Sequence, residues 1–291
     1  MSAENQGSPM PPKKILESSP MSGIAVPIAI VLVGALIIFG VTKMLSSGKN
    51  HRDLIDEMNS KTFGNRWVAA YELSKFLASS KIPKEDMPWV IENLSKVYYE
   101  SVDARTRNFV VLALGSLKNP LSLNVLNKAL EDQDSQVKFN AVVSLGNMDK
   151  GSTIEWKKVE ALLQQNEDPG LKQVALFNLA AHQQPQVEAL ALPLLSSSEK
   201  TLRYAAATVL IHYKRQEVLP ILEEIAQLKY DNVTPGELNG AQVEALKTNL
   251  LENIEKSKWN ALAGLVKILE SNDTNVRVQT KAKQVLKLLK N

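Results

Sequence analysis

Thirteen residues beginning at Asp134, DSQVKFNAVVSLG, nearly repeat the thirteen beginning at Asp103, DARTRNFVVLALG. Further copies start at Thr62, Asp168, Glu199 and Asp273, so successive starts lie 41, 31, 34, 31 and 74 residues apart. A phrase recurring at such a period is a structural unit that cannot bury its apolar face alone and stacks on its neighbours. The last interval is twice 37, which predicts one divergent copy between Glu199 and Asp273.

Each aligned column has a physical task. Thr62, Asp103, Asp134, Asp168, Glu199 and Asp273 stand first, where a side-chain oxygen accepts from the free amides of a helix start. Seven positions on come Ala69, Val110, Ala141, Ala175, Ala206 and Thr280. Four further on come Leu73, Leu114, Leu145, Leu179, Leu210 and, out of pattern, Gln284. A spacing of four puts both columns on one stripe of a packed helix. The fourth residue after the cap is always basic: Arg66, Arg107, Lys138, Lys172, Arg203 and Arg277. Gly115 and Gly146 end two copies, as the residue just past a helix commonly does. A second amphipathic stretch precedes most copies, so the unit is a helical hairpin of roughly thirty to forty residues, repeated about seven times.

Composition agrees. Aromatic residues make up only 5% of the 291 residues against 44% apolar overall, a balance that favours helices, and the class is all-α. Beyond Asn50 the chain holds thirty basic and twenty-nine acidic residues, without the surplus expected of a nucleic-acid binder. It contains no cysteine, which excludes disulfides, thiolate metal sites and a cysteine nucleophile.

The first fifty residues follow a different logic. Gly23 to Thr42, GIAVPIAIVLVGALIIFGVT, carries no charge over twenty residues, about 30 Å of helix and enough to cross a bilayer. The run is longer than a signal-peptide core and begins behind a Ser/Pro-containing tail, which favours an uncleaved anchor over a cleaved signal. The expected organisation is a disordered tail over 1–22, a transmembrane helix over 23–44, a linker over 45–51 and the repeat domain over 52–291. This makes a single-pass membrane protein, of the inner membrane in a bacterium. Lys43, Lys49, Arg52 and Lys61 after the span outnumber Lys13 and Lys14 before it, which leans toward a cytoplasmic body. An anchor with the body outside stays open.

The order of acidic cap, apolar residue, basic residue, Ala and Leu-Gly, as in Asp134, Val137, Lys138, Ala141, Leu145 and Gly146, resembles the second helix of a HEAT repeat and of the related bilin-lyase type of HEAT-like repeat. The resemblance runs from about Thr62 to Leu289. It implies a right-handed α-solenoid whose second helices line the concave side, with acidic and basic columns forming ladders between repeats. Asp103, Asp134, Asp168, Glu199 and Asp273, with Arg107, Lys138, Lys172, Arg203 and Arg277, are the positions expected to form them. Thr106 departs from the apolar position, and Thr280 and Gln284 suggest a terminal cap.

Chemistry is harder to find. His51, His182 and His212 lack ligand spacing, and His182 and His212 fit helix C-termini. Glu223 and Glu224 read as solvated charge, and no glycine-rich phosphate loop is present. The last helix places Arg277, Lys281, Lys283, Lys287 and Lys290 opposite an apolar face of Val278, Ala282, Val285, Leu286 and Leu289, as a terminal repeat requires. Positions five and nine after the cap supply Trp67, Tyr71, Phe139, Val143, Phe177 and Tyr204 as partner-binding candidates, with packing against the next repeat as the alternative. Tyr230 joins them from the loop YDNVTPGELNG, where Pro235, Gly236 and Gly240 are helix stops. The expected function is a non-enzymatic membrane scaffold for a protein partner, with no cofactor, metal, nucleic acid or small-molecule substrate. The alternatives are a bilin-lyase-like enzyme or an obligate subunit of a membrane complex.

Overall fold

The computed structural model describes residues 49–60, 66–79, 82–165, 168–231 and 238–289. The tail and the expected span over 23–44 lie outside these residues, and no described helix is long and apolar enough to cross a membrane.

Among the described residues the regular elements are all helical and form seven hairpins. The first four pair α1 (His51–Asn59) with α2 (Arg66–Ser79), α3 (Met87–Glu100) with α4 (Ala104–Leu117), α5 (Leu123–Ala129) with α6 (Ser135–Gly146), and α7 (Trp156–Gln165) with α8 (Pro169–Ala181). The last three pair α9 (Val187–Ala191) with α10 (Lys200–Leu210), α11 (Leu219–Gln227) with α12 (Gly240–Ser257), and α13 (Ala263–Asn272) with α14 (Val276–Leu289). Second helices pack on one another in succession from α2 to α14. The result is an α-solenoid with a continuous core.

The cap column does what its oxygens allow. Asp103 accepts from the Arg105 amide, Asp134 from those of Gln136 and Val137, and Asp168 from those of Gly170 and Leu171. Glu199 occupies the same place without a side-chain cap bond, and Thr62 lies outside the described residues. Behind the caps, Val110, Ala141, Ala175 and Ala206 are fully buried, as are Leu114, Leu145, Leu179 and Leu210. The divergent copy is α12, which Asn239 opens with a reciprocal capping box to Gln242. Gly240, expected as a stop, begins that helix.

Three sequence expectations need correction. The glycines do not follow their helices: Gly115 lies inside α4 and Gly146 is the last residue of α6. Their role is close approach, since a Cβ on Gly115 would sit 2.3 Å from Ser144 Oγ and one on Gly146 2.8 Å from Asn178 Nδ2. Those partners use the proximity, Ser144 Oγ donating to the Val111 carbonyl and Asn178 Nδ2 to that of Val142, so α6 is tied to the backbone of α4 and α8 to that of α6.

The second correction concerns the last copy. Its helix is capped by Asn275, which accepts from the Arg277 and Val278 amides, two residues after the expected Asp273. In that register the buried stripe positions are Ala282 and Leu286, while Thr280 and Gln284 are exposed. The apparent breakdown of the apolar stripe was therefore an alignment two residues out of place, because two capping residues lie close together. The third correction is that Arg277 falls outside the basic column, whose place is taken by Gln279. Gln279 Nε2 donates to the Asp273 carbonyl six residues back, as Arg66, Arg107 and Arg203 donate to those of Ser60, Ser101 and Ser197. Sealing this turn is what these four members of the column share. The expected apolar face of α14 is buried, and Lys281 pairs with Glu255.

Candidate functional site

The aromatic column divides once its neighbours are known. Trp67 is partly buried beneath the Arg105 guanidinium at 5.1 Å, and Tyr71, 41% exposed, meets the Phe109 ring edge-on at 5.1 Å. Both contacts cross from the first repeat to the second. Phe139 and Phe177 are partly buried against the core, whereas Val143 and Leu112 are partly buried outside it. Tyr204 does not belong with them. It is 1% exposed and its hydroxyl donates to Glu224 Oε1 at 2.6 Å, so its ring is packed between repeats, where it underlies the cleft beside Phe177. Glu224, expected as solvated charge, is the acceptor that makes burying this phenol tolerable. Tyr230 lies in the turn after α11 and donates to Asp273 Oδ1 at 2.7 Å; residues 232–237 of that loop lie outside the described residues.

Between α8, α10 and α12 the second helices enclose a cleft of about 370 Å³. Gln173, Phe177, Thr201, Gln242, Leu246 and Asn249 line it, and its described lining carries no charged side chain. Such a surface offers amide and hydroxyl hydrogen bonds beside apolar area, which suits a peptide segment better than a charged ligand.

The ladders exist in part, and their acids are not the caps. Arg107 makes a bidentate pair with Asp132, two residues before the Asp134 cap of the next repeat, through Nε and Nη2 at 2.8 Å each. Tyr98 from α3 donates to the same carboxylate at 2.9 Å. Burial works to raise the Asp132 carboxyl, but Arg107, the Asp134 amide and Tyr98 outweigh it and hold its pKa below the ordinary value. Burial, then the bond to Asp132, pushes the Tyr98 phenol up.

Two further junctions repeat this scheme with different spelling. Asp273, two residues before the Asn275 cap, takes Tyr230 and the ammonium of Lys247, the Lys247–Asp273 pair being 2.7 Å long with side chains only 3% and 1% exposed. At the third junction Glu224 receives Tyr204 and stands 3.5 Å from Arg203. The expected Arg277 rung forms with Glu244 at 3.0 Å, whereas Lys138 and Lys172 form no ion pair among the described residues. Sequence reading missed these tyrosine–acid–cation clusters because their members belong to different columns. The available signal was an acid two residues ahead of two caps.

The histidines take structural partners: His51 meets Asp86 at 3.0 Å, the His182 ring lies tilted against Trp156 at 4.8 Å, and His212 contacts Asn253 at 2.9 Å. No group of three or more histidine or acidic side chains among the described residues is placed to hold a metal ion.

No curated protein matches the sequence. Among solved structures, YibA of Escherichia coli is similar at 15% identity, covering 84% of each chain with a TM-score of 0.56. The complex of CpcE and CpcF of phycocyanin lyase from Nostoc sp. is similar at 17% identity and a TM-score of 0.54, covering 84% of this chain and 96% of that one. At such identities the likeness is one of fold. A family model described as HEAT repeats matches residues 157–235, which take in α7 to α11 and run on past the described residues of the turn that follows, within a chain whose fold is an α-solenoid.

Proposed function

We propose that the chain is a non-enzymatic scaffold, held at a membrane by residues 23–44, that binds a protein partner along its second-helix face. The observation that carries this reading is the row of apolar side chains left outside the core on successive second helices: Trp67 and Tyr71 on α2, Leu112 on α4 and Val143 on α6. The row leads to the uncharged cleft at Phe177. Burying such side chains is what a partner gains from, and amides beside them fix its orientation. Tethering to a bilayer confines both partners to a thin layer and raises their effective concentration. The flanking lysines favour a cytoplasmic body.

An enzyme of the bilin-lyase type would need an acid or base converging on the bound group, and the described lining of the cleft supplies amides and hydroxyls instead. An obligate subunit would use the same face but would not persist alone.

Photo-crosslinkers at positions 112 and 143, with a control at the exposed Glu92 on α3, test the proposal in cells. Capture of one protein from 112 and 143 but not 92, abolished by Leu112→Glu without a change in unfolding midpoint, is expected. Equal capture from all three positions would sink it, as would turnover of a small substrate blocked by Val143→Glu. Aggregation of the purified, unaltered chain would favour the obligate subunit.

A further inference from the structure

A stack of hairpins has two edges, and their chemistry differs. The turns within hairpins lie along one edge and carry the cap column, with Asp103, Asp134, Asp168 and Glu199. The turns between hairpins, the starts of first helices and the ends of second helices share the other. Contacts such as Trp156 with His182, Arg215 with Glu188 and His212 with Asn253 join its members.

This second edge carries an exposed lysine in five of its turns. Lys84, Lys118, Lys150, Lys214 and Lys258 are exposed in its turns and form no ion pair among the described residues. Five exposed carboxylates, Asp53, Glu85, Asp149, Glu155 and Glu217, lie along the same edge and lower its net charge, Glu155 being engaged by Lys158. Lys118, Lys214 and Lys258 also hold left-handed backbone, with φ of 47°, 53° and 49°. Glycine takes that conformation without steric cost and is the common residue there. Lysine suits the negative end of a helix, yet among the described residues three of the four non-glycine left-handed positions are lysine, where glycine would fit more cheaply.

Two large apolar side chains project beside these lysines, Leu121 at 57% and Tyr213 at 38% exposure. The chain enters the solenoid here as well, at His51, where Arg52 is held by Asp86 and stacked on Trp89 at 4.8 Å. Exposed apolar residues also occur on the opposite edge, Val102 being 94% exposed, but they stand among the acidic caps.

We propose that the edge bearing Lys84, Lys118, Lys150, Lys214 and Lys258 lies against the anionic lipid headgroups of a bilayer, with Leu121 and Tyr213 entering the interface. Basic residues gain from the negative surface potential, and a leucine and a tyrosine between them gain apolar contact at headgroup depth. The opposite edge, led by its aspartates, turns away. The second-helix face is then left lateral and accessible to a partner. The proposal rests on the anchor reading only for what brings the bilayer within reach.

Because the chain has no cysteine, single labels are straightforward. The full chain carrying Leu121→Cys, or Val102→Cys as control, is labelled with an environment-sensitive dye. It is then reconstituted in phosphatidylcholine vesicles with or without phosphatidylglycerol, both containing a headgroup quencher. The expected result is quenching at 121 at least twofold above that at 102, in the anionic vesicles only. Lys→Gln changes at the five positions should weaken the contact, about fivefold for each basic residue removed. Added salt should do the same on the unaltered surface, the Debye length falling to about 3 Å at 1 M.

Equal quenching at both sites, stronger quenching at 102, or indifference to salt and to the lysines overturns the proposal. So does a label at 121 that responds to duplex RNA and not to vesicles. If alkaline carbonate strips the chain from the vesicles, the anchor reading fails. Quenching at 121 before the wash still supports the edge, and its absence still overturns it.

Discussion

Repeats two to four and repeats six to seven share one architecture but are joined by different chemistry. In the first group, neighbouring second helices meet through missing side chains: Gly115 makes room for Ser144, Gly146 for Asn178, and both partners bond the backbone of the preceding helix. The Arg107–Asp132 pair at the rim adds a clamp whose arginine side chain is 16% exposed. In the second group the basic side chain has moved one turn along the helix to Lys247, eight residues after the Asn239 cap, and forms its pair with Asp273 in the interior. Tyr230 spans the same acid, with the Lys247 ammonium 4.7 Å from its ring. A common hairpin period therefore does not imply a common means of attachment. Packing requires only that apolar faces be covered, and each junction solves the polar remainder separately.

The largest test of the difference is at the interior pair. Asp273→Ala leaves the Lys247 ammonium buried without a counter-charge and should cost about 3–5 kcal/mol, read by denaturant unfolding. Lys247→Met with Asp273→Leu removes both charges and should recover most of that loss. A double variant as unstable as the single one would show that Tyr230 and the turn, not the charge, hold the junction.

Next in size is the close contact in the first group. Gly115→Ala drives a methyl toward Ser144, whose own backbone Cα would lie 3.0 Å away, and should cost about 1–3 kcal/mol. Gly264→Ala in α13 has nothing within 4 Å to meet and should instead stabilise by about 0.5–1 kcal/mol, the helix preferring alanine. Equal effects of the two would remove the close-approach role. Smaller again is the cap: Asp134→Ala should cost about 1 kcal/mol, whereas Glu199→Ala, which has no side-chain cap bond to lose, should stay within about 0.5 kcal/mol.

The subtlest difference is in pH dependence. Asp132 titrates lower in the folded chain than in the unfolded one, so its contribution is complete above the ordinary aspartate pKa. As pH falls through the ordinary value of 3.8 toward the lower folded one, the unfolded chain takes up the proton first and this stability is lost. Asp132→Asn should therefore flatten the acid limb of the stability curve below about pH 4. An unchanged limb, measured by unfolding across that range, would mean the Arg107 clamp contributes little.

How much of this was legible in sequence depended on how local each feature is. Caps at Asp103, Asp134 and Asp168 and the buried pairs such as Ala141 with Leu145 follow from the 3.6-residue turn of one helix, so spacing alone revealed them. The last copy was misplaced because Asp273 and Asn275 are both plausible helix starts, and only burial of Ala282 and Leu286 chooses between them. Tyr204 and Val143 occupy neighbouring places in the aromatic reading, yet one is buried and the other is part of the surface row. No pattern within a single helix separates them, because the difference lies in what the adjacent repeat presents.

The sequence by itself determined the all-helical hairpin array, the number of its units and where most second helices begin, since these are written in short-range periodicity and capping chemistry. Tertiary structure alone decided which glycines admit a neighbour, which acids meet which cations, and that Lys84, Lys118, Lys150, Lys214 and Lys258 share one edge while capping aspartates line the other. Those outcomes depend on how successive hairpins stack, and stacking brings together residues thirty or so positions apart that no local pattern connects.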